Sequence, residues 1–232
     1  MAAQKSIAVI IVAGGTGERA GGTPKQYRPL SGKPVFTRAV EAFSQRADIK
    51  WILPVIHRDH APLLAKLKLP RDKMLPPVAG GASRQASVLA GLEALAPNKP
   101  DLVLIHDAAR PLCSPELVSM LVDAAAAGGG AVPGLAVDDL AAVADDGSLV
   151  PLVGRHVRIQ TPQVFAAKPL LVAYQRAAEV GFEGTDTAAC LERFSTLKVT
   201  YVPGEEQNFK ITYPHDVALA DELVRRRDGA AD

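Results

Sequence analysis

The sequence predicts an α/β protein built around a sheet of buried strands. Three short runs of apolar, mostly β-branched residues support this class, at positions 7–12, 51–56 and 101–105. Runs without alternating polar residues are typical of strands covered on both faces, as in parallel sheets. The first run ends in glycines and is expected in the middle of the sheet.

The composition fits one domain with a full hydrophobic core. The chain has 232 residues, 48% of them hydrophobic and 22% charged, so a single catalytic domain over residues 1–232 is the economical interpretation. The formal net charge is +1, with Lys and Arg spread along the chain. This pattern predicts neither nucleic acid nor a membrane as a partner, so anion binding must be local.

Cysteine usage and the amino terminus favour a cytoplasmic enzyme. Cys113 and Cys190 stand far apart with no Cys or His cluster, so neither a zinc site nor a disulfide scaffold is predicted. The amino terminus lacks the apolar region of a signal peptide. No apolar run approaches the ~20 residues that span a bilayer.

A glycine-rich loop follows the first strand. Gly14, Gly15 and Gly17 allow the backbone to approach a ligand closely, with N–H groups free to receive phosphate oxygens. Arg19 and Lys25 add two cations just downstream. An ordinary tight turn would also explain the glycines, but the basic pair favours a phosphate site.

The spacing excludes two common phosphate loops. The loop lacks the Gly-x-Gly-x-x-Gly register of dinucleotide folds and the acidic residue about 20 positions later. A Walker loop would need a Gly-Lys-Ser/Thr ending, which is absent. A loop followed by Arg and Pro-Lys suits a nucleoside triphosphate whose phosphates are neutralised by side chains.

The next elements offer a second platform for an anion or a base. A helix is predicted over residues 35–44 and a short strand over 74–78, followed by Gly80-Gly81 and a helix start at Ser83 and Arg84. First-turn N–H groups of a helix are unpaired and lie at its positive end. A glycine turn with a Ser83 cap is the alternative interpretation.

Charged residues follow the strand at 101–105. Ligands of open parallel sheets collect at the carboxyl ends of strands, so Asp107 and Arg110 are site candidates. A surface ion pair between them is the alternative. His57 and His60 follow the second strand, but they lack a third ligand nearby, and no chemistry is assigned to them.

The rest of the chain contains a hairpin and a return to the main body. Helices are predicted over 115–127, 170–180, 187–194 and 214–227, with a strand at 198–202. Residues 131–150 have the pattern of two strand-like segments around the Asp146-Gly147 turn. A hairpin with so few large residues is not stable alone, so we expect it to pack on a second subunit.

The candidate residues favour phosphate chemistry without a protein nucleophile. The loops supply the cations Arg19, Lys25, Arg84, Arg110 and Lys210, and Asp107 is the clearest carboxylate. No serine has a His partner, and no Gly-x-Ser-x-Gly elbow is present. A phosphate monoester, with a second pKa near ~6, could itself attack the α-phosphorus of a nucleoside triphosphate. Mg²⁺ would bridge the phosphate oxygens.

These segments carry a resemblance to a known family. In order they resemble 2-C-methyl-D-erythritol 4-phosphate cytidylyltransferases over nearly the whole chain, from Ile7 to Leu223. The matching segments are Ala13-Gly-Gly-Thr-Gly-x-Arg19 with Pro24-Lys-Gln-Tyr27, Gly80-Gly-x-x-Arg84-Gln-x-Ser87-Val, His106-Asp-Ala-Ala-Arg-Pro111, Thr161-Pro-Gln163 and Asn208-Phe-Lys210.

The resemblance implies a Rossmann-like nucleotidyltransferase fold with a mostly parallel central sheet and a protruding β-arm at about 134–158, through which a homodimer forms. It also implies CTP and a sugar-alcohol phosphate as substrates and Mg²⁺ as cofactor. By matching motif, the expected catalytic residues are Arg19, Lys25 and Lys210. The residues expected to bind the nucleotide are Ala13, Gly14, Gly15, Gly81, Ala82, Ser87 and Asp107. The acceptor residues are Asp107, Arg110, Arg155 and Thr161, and Asp107 also lies near the metal, indirectly through the CTP phosphates.

The β-arm departs from the family pattern. The family has Asp-Thr with a basic residue soon after, whereas this chain has Asp138-Asp139-Leu-Ala. The threonine hydroxyl and the nearby positive charge are both missing. Arg155 is assigned as the arm arginine, with Arg158 as the other candidate. A cytidylyltransferase for another polyol phosphate, such as ribitol 5-phosphate, is the alternative function. A nucleotide-binding module without turnover is a further one, and both a single-function chain and half of a bifunctional one remain open.

Overall fold

A mixed, mostly parallel sheet with helices on both faces forms the body of the protein. The computed structural model describes residues 5–15, 23–184 and 186–229. Within them the main sheet has eight strands, and two short ribbons lie apart. The strands are β1 (Ile7–Ala13), β2 (Pro29–Leu30), β3 (Lys33–Pro34), β4 (Ile49–Ile56), β5 (Val78–Ala79), β6 (Leu102–Asp107), β7 (Gly129–Val137), β8 (Ala141–Val143), β9 (Leu149–Pro151), β10 (His156–Ile159), β11 (Gln163–Ala166) and β12 (Lys198–Pro203).

Seven helices connect these strands in the described residues. They are α1 (Val35–Ser44), α2 (Ala61–Ala65), α3 (Arg84–Leu95), α4 (Pro115–Gly128), α5 (Ala167–Glu179), α6 (Thr187–Phe194) and α7 (Pro214–Gly229). Three of them begin at a side chain that accepts a hydrogen bond from the first turn: Ser83 at α3, Ser114 at α4 and Asp186 at α6. Such caps satisfy N–H groups that have no partner inside the helix.

Strand β1 lies in the interior of the sheet, as its apolar sequence predicts. It pairs in parallel with β4 on one side and with β6 on the other. Beyond β6, β11 is antiparallel, and β7 and β12 continue the sheet. The carboxyl ends of β1, β4 and β6 therefore lie at one edge.

The two faces of the sheet carry two separate cores. On one face, alternate residues of β1 such as Val9 and Ile11 pack with α1 and α4. On the other face, Ala8 and Ile10 pack with α3, α5 and α6. The period of two follows from the pleat of a strand and gives a three-layer α/β arrangement. A third, smaller cluster joins α7 to the β2–α1 region.

The segment at 131–137 corrects the sequence prediction of a hairpin strand. It belongs to β7, a nine-residue strand that pairs with β11, β10 and β12. Its residues are small because neighbours crowd them: a Cβ on Gly130 would lie 2.8 Å from the Phe165 ring. The strand thus lacks the bulky residues by which buried strands are recognised.

A β-arm protrudes where β7 and β10 leave the sheet. Its tip is the exposed hairpin β8–β9, which pairs only within itself among the described residues. The predicted Asp146-Gly147 turn closes it, with Gly147 at φ +83° and Asp146 accepting from the Ser148 N–H at 2.9 Å. Apolar side chains are exposed along the arm, among them Val153 at 95%.

Three further features complete the fold. The strand predicted at 74–78 is a single bridge from Met74 to Ile52, followed by the short β5. Cys113 and Cys190 are buried free thiols. Among the helices described, none has both the length and the apolar character needed to cross a bilayer.

Candidate active site

A cavity of about 340 Å³ opens at the carboxyl ends of β1 and β6. Its walls come from the glycine loop after β1, the turn at Lys25, the start of α3, the end of β6 and the segment at Lys210. This is the edge of an open α/β sheet at which ligands bind. The cavity therefore collects loops from nearly the whole length of the chain.

The two glycine loops meet at Ser87 on α3. A Cβ on Gly14 would lie 3.0 Å from the Ser87 Oγ, and one on Gly80 would lie 2.7 Å from it. The Ser87 hydroxyl donates to the Ser83 carbonyl at 2.8 Å. A Cβ on Gly81 would lie 2.5 Å from that of Ala86, so only glycine lets this loop close on the helix. Backbone is thereby exposed along one wall, where a flat ligand could pack.

Lys25 is presented to the cavity by a short 3₁₀ turn. The buried side chain of Gln26 donates to the carbonyls of Ala13 at 3.2 Å and Gly15 at 3.3 Å. Tyr27 packs its ring against Phe36 on the other side of the turn. The turn is thus tied to both the glycine loop and the core, which fixes the root of the lysine.

Asp107 holds two cations at the floor of the cavity. Its carboxylate contacts the Lys210 Nζ at 2.8 Å and the Arg84 Nε at 3.2 Å. Burial alone would raise the pKa of this carboxyl, but Arg84, Lys210 and Arg110 outweigh it and hold the pKa well below its usual range. Asp107 is therefore an ionised carboxylate at neutral pH.

A buried hydrogen-bond chain sets the position of Asp107. The His106 Nε2 lies 2.9 Å from the Arg110 carbonyl, which can only accept, so Nε2 carries the proton. Burial lowers the pKa of His106 to about 4, so the ring is neutral and its Nδ1 accepts from the Thr161 hydroxyl at 3.2 Å. Thr161 Oγ1 in turn accepts from the Asp107 N–H at 3.0 Å.

The structure brings most of the predicted site residues together. The cavity wall contains Lys25, Lys210, Ala13, Gly14, Gly15, Gly81, Ala82, Ser87 and Asp107. Arg110 and Thr161 act on Asp107 from outside this wall. Arg155 is exposed on the arm, away from the cavity. Arg19 lies outside the described residues, as does Gly17 of the loop. The individual roles of all these residues stay predictions.

Sequence reasoning assigned no role to several residues of the wall. Gln26, Ser83 and Thr212 supply polar atoms there. Gln26 had a signal, since it stands between Lys25 and Tyr27 in the segment that carries the resemblance. Ser83 was considered only as a helix cap, a role that it also fills by accepting from the Ala86 N–H at 3.1 Å.

The donor set of the cavity suits a metal held mainly by a substrate. Asp107 is the one carboxylate among the described wall residues, and no group of three or more metal-ligating side chains occurs in the described residues. Mg²⁺ commonly takes one or two carboxylates together with substrate phosphates. One carboxylate among several cations can therefore bind and neutralise a polyphosphate, but the described wall offers no paired nucleophile and base.

The chain matches the family model IspD, 2-C-methyl-D-erythritol 4-phosphate cytidylyltransferase, over residues 7–226. Among curated proteins, the bifunctional enzyme IspD/IspF of Rhodopseudomonas palustris strain BisB18 is 44% identical over 220 residues, and that of Nitrobacter winogradskyi is 42% identical over 220 residues. Each match covers 93% of this chain and 55% of the relative, so the chain spans about half the length of these proteins.

Solved structures agree with the family match. The 2-C-methyl-D-erythritol 4-phosphate cytidylyltransferase of Thermus thermophilus is 33% identical, with a TM-score of 0.72 over 96% of this chain and 99% of that one. The 4-diphosphocytidyl-2C-methyl-D-erythritol synthase of Anaerococcus prevotii is 28% identical, with a TM-score of 0.79 over 96% and 97%. Sequence and fold thus agree over almost all of the chain, which belongs to the 2-C-methyl-D-erythritol 4-phosphate cytidylyltransferase family of CTP-dependent nucleotidyltransferases.

Proposed function

We propose that this chain transfers a cytidylyl group from CTP to 2-C-methyl-D-erythritol 4-phosphate, giving 4-diphosphocytidyl-2-C-methyl-D-erythritol and pyrophosphate. The observation that carries the proposal is the convergence of Lys25 and Lys210, from opposite ends of the chain, on one cavity with the two glycine loops. Family membership supplies the identity of both substrates.

The chemistry needs placement and charge neutralisation. An oxygen of the acceptor phosphate forms a bond to the α-phosphorus of CTP while the bond from that phosphorus to the β-phosphate oxygen breaks. The electron pair leaves with pyrophosphate, and no proton transfer is required, since the acceptor phosphate is already mostly dianionic at neutral pH. Lys25 and Lys210 stabilise the negative charge on the equatorial oxygens, together with Arg19.

The glycine loops hold the nucleotide. Backbone groups at Ala13, Gly14 and Gly15 face one side of the cavity, and Gly81 and Ala82 face another. In the proposal these two walls bracket the ribose and the base, while Ser87 keeps them at a fixed separation through its contacts with both loops.

Asp107 and Mg²⁺ act on the polyphosphate. Mg²⁺, when bound, supplies positive charge that neutralises phosphate oxygens. Asp107 is suited to hold it, directly or through water, because its carboxylate stays ionised among cations. A metal held by Asp107 would compete with the ion pairs from this carboxylate to Arg84 and Lys210, which would leave these cations available to phosphate oxygens.

The acceptor lies beside Asp107 in this proposal. Arg110 is mostly buried and donates from Nη1 to the Asn208 carbonyl at 2.7 Å, which holds its positive charge near Asp107, where it can attract an anionic acceptor. Thr161 positions Asp107 through the backbone N–H. Arg155 is assigned to the acceptor phosphate in the partner subunit's site, which requires a homodimer. The exposed apolar residues of the arm support this assembly, since such patches mark interaction surfaces.

A single assay tests the proposed reaction. Purified chain is incubated with CTP, Mg²⁺ and 2-C-methyl-D-erythritol 4-phosphate, and pyrophosphate release is followed with mass spectrometry of the product. We expect release that depends on both substrates. No release from a chain whose circular dichroism shows an intact fold would reject the proposal.

Two alternatives are separated by the same assay. The family match gives no support to another polyol phosphate, but ribitol 5-phosphate in place of the acceptor tests that interpretation directly. CTP binding without turnover of any acceptor would indicate a nucleotide-binding module. We expect turnover with the methylerythritol acceptor alone. The cytoplasmic location expected from the sequence is a separate prediction, which this assay does not test.

A further inference from the structure

The side chain of Gln160 forms hydrogen bonds to the turn that precedes Lys210. Gln160 is 2% exposed and lies in the short link between β10, which returns from the β-arm, and β11. The amide oxygen accepts from the Glu205 N–H at 3.1 Å. The amide nitrogen donates to the Glu205 carbonyl at 2.8 Å and to the Asn208 carbonyl at 3.3 Å. One side chain therefore fixes both ends of the short 3₁₀ turn, two residues before the lysine.

The backbone on either side of Lys210 is anchored as well. Asn208 is fully buried and donates from Nδ2 to the Thr161 carbonyl at 2.9 Å. After the lysine, the Ile211 N–H donates to the Ala109 carbonyl at 2.9 Å. The lysine side chain itself is 42% exposed and makes its described ion pair with Asp107. Its backbone is fixed by neighbours, while its ammonium faces the cavity.

The neighbouring residue, Thr161, holds the other member of that ion pair. Its hydroxyl accepts from the Asp107 N–H. Two consecutive residues thus position both partners: Gln160 acts on the turn that leads to Lys210, and Thr161 acts on Asp107. A shift of this link between β10 and β11 would alter the geometry of the cation and the carboxylate together.

Tight packing at Gly204 shows that the turn has little room to move. The Gly204 N–H donates to the Gly134 carbonyl at 2.7 Å. A Cβ on Gly204 would lie 2.4 Å from the Gln160 Oε1 and 3.0 Å from the Gly134 oxygen. Any side chain here would push the turn away from Gln160.

We propose that Gln160 is a positioning residue for the cytidylyl transfer, setting the place of the Lys210 ammonium in the cavity. This proposal rests on the proposed function. Gln160 does not belong to the cavity wall, so it acts through Lys210 and not on the substrate. A purely structural role would alter stability, whereas a positioning role also alters the reactivity of one lysine.

The first test is the kinetics of Gln160→Ala. We expect kcat to fall about 10- to 100-fold, with a smaller change in KM for CTP, because a displacement of ~1 Å in a catalytic group can cost this much. Lys73→Ala is the control. Lys73 also fixes a turn through two hydrogen bonds, since its Nζ donates to the Ser44 and Arg46 carbonyls, both at 2.7 Å, but neither Lys73 nor that turn belongs to the described cavity wall. Its kcat should stay near the wild-type value.

A double-mutant cycle tests whether the effect passes through Lys210. In a Lys210→Ala background, single-turnover measurements should show less than about a twofold further loss from Gln160→Ala, since coupled residues are not additive. The same fold loss in both backgrounds would overturn the proposal, and so would an unchanged kcat in Gln160→Ala.

The second test needs no turnover. An amine-directed acylating reagent is applied to the full chain, and the modification rate at Lys210 is measured by peptide mass spectrometry. We expect Lys210 to react several-fold faster in Gln160→Ala, since the ammonium leaves its ion pair with Asp107, and at the wild-type rate in Lys73→Ala. Equal rates in all three proteins would overturn the proposal.

The two tests separate this proposal from the proposed function. If the wild-type chain releases no pyrophosphate, the cytidylyl transfer is rejected, while the labelling rates still decide whether Gln160 positions Lys210. If Gln160→Ala does not fold, Gly204→Ala replaces it in both measurements. That variant keeps the Gln160 side chain and crowds the turn, so it should reproduce the loss of kcat and the faster labelling; wild-type behaviour in both would overturn the proposal.

Discussion

At the scale of single residues, the site depends on charge held in fixed places. Asp107 is buried yet ionised because three cations surround it, and one of them, Lys210, is also assigned to the reacting phosphate. A carboxylate in this position offsets the repulsion between the cations before the substrate binds, and in the proposed reaction phosphate oxygens then take its place. The residues that matter for rate are therefore those whose removal alters this balance without unfolding the chain.

Lys25→Ala and Lys210→Ala should each lower kcat by about 10²- to 10³-fold, the usual cost of removing one donor that stabilises a developing anion. The fold should persist, because Lys210 is 42% exposed and its backbone is anchored by other residues. Pyrophosphate release measures the rate and circular dichroism the fold. Lys33→Ala is the matched control, since Lys33 pairs with Glu41 at 2.9 Å outside the cavity. A rate within about threefold of wild type would contradict the assignment.

His106 should make the protein less stable as the pH falls below neutrality. Burial lowers its pKa from 6.5 to about 4 in the folded chain. Above pH 6.5 the ring is neutral in both the folded and the unfolded state, so its titration does not change the free energy of unfolding. Below it the unfolded chain gains a proton that the folded chain does not bind until about pH 4, so stability falls with pH over this window. The loss in free energy of unfolding over this window can reach about 3 kcal/mol.

Urea unfolding of the wild type and of His106→Gln at several pH values between 7 and 4 measures this effect. The variant should be less stable at pH 7, because the bonds to Arg110 and Thr161 are disturbed. The difference between the two proteins should shrink as the pH falls, since the variant has no proton to gain at this position. A difference that is constant with pH would contradict a lowered pKa in the fold.

At the scale of elements, the sequence predicted those segments whose structural signals lie within the segment itself. Helices α1 and α6 have the predicted bounds: α6 begins at the Asp186 cap, and α1 begins directly after Pro34 without a side-chain cap. The segment at 131–137 is a strand, but its assignment to the hairpin was wrong, since it pairs in the main sheet and packs against Phe165 and Val157 from other segments. Gln160 was missed for the same reason: its partners lie at Glu205 and Asn208, far along the chain.

Helix α3 illustrates how a distant contact reverses a local rule. Alanine is normally preferred to glycine within a helix by about 1 kcal/mol. At Gly91, however, a Cβ would lie 2.9 Å from the Val55 Cγ2 and 3.0 Å from the Ile10 Cδ1. Gly91→Ala should therefore destabilise the chain by about 1–3 kcal/mol through overpacking against the sheet.

Urea unfolding of Gly91→Ala measures this prediction, with Gly229→Ala as the control. Gly229 is also helical, at the end of α7, but a Cβ there would meet nothing within 4 Å. The control should be neutral or slightly stabilised. The two substitutions should therefore change the free energy of unfolding in opposite directions or by clearly different amounts. A stabilised Gly91→Ala would show that α3 can move away from β1 and β4 at low cost.

At the scale of the whole molecule, the topology brings the two ends of the chain to one edge of the sheet. The glycine loop follows the interior strand β1, and Lys210 follows β12, yet both line one cavity. The individual motifs were visible in the sequence, and the resemblance gave their grouping. The sequence alone could not predict the supports of the site, because the contacts of Gln160, Asn208 and Gly204 exist only once β7, β11 and β12 have assembled.

The arm should be the contact of a homodimer. Its exposed apolar residues include Val143 at 70%, Leu149 at 72% and Val153 at 95%, and the hairpin makes no sheet pairing with the body in the described residues. A small two-stranded hairpin is marginal alone, so burial against a second copy would stabilise it. Sedimentation equilibrium of the wild-type chain should give the mass of two chains.

Val153→Lys should shift this equilibrium towards the monomer, because a charge would then be buried without a partner in an apolar contact. Val180→Lys is the matched control, since Val180 is also exposed, at 66%, but follows helix α5 away from the arm. The monomeric variant should keep its fold and show a larger rise in KM for the acceptor than for CTP relative to wild type, since Arg155 would no longer reach the partner's site. A wild-type mass of one chain, or equal dissociation of the two variants, would show that the arm does not join two copies.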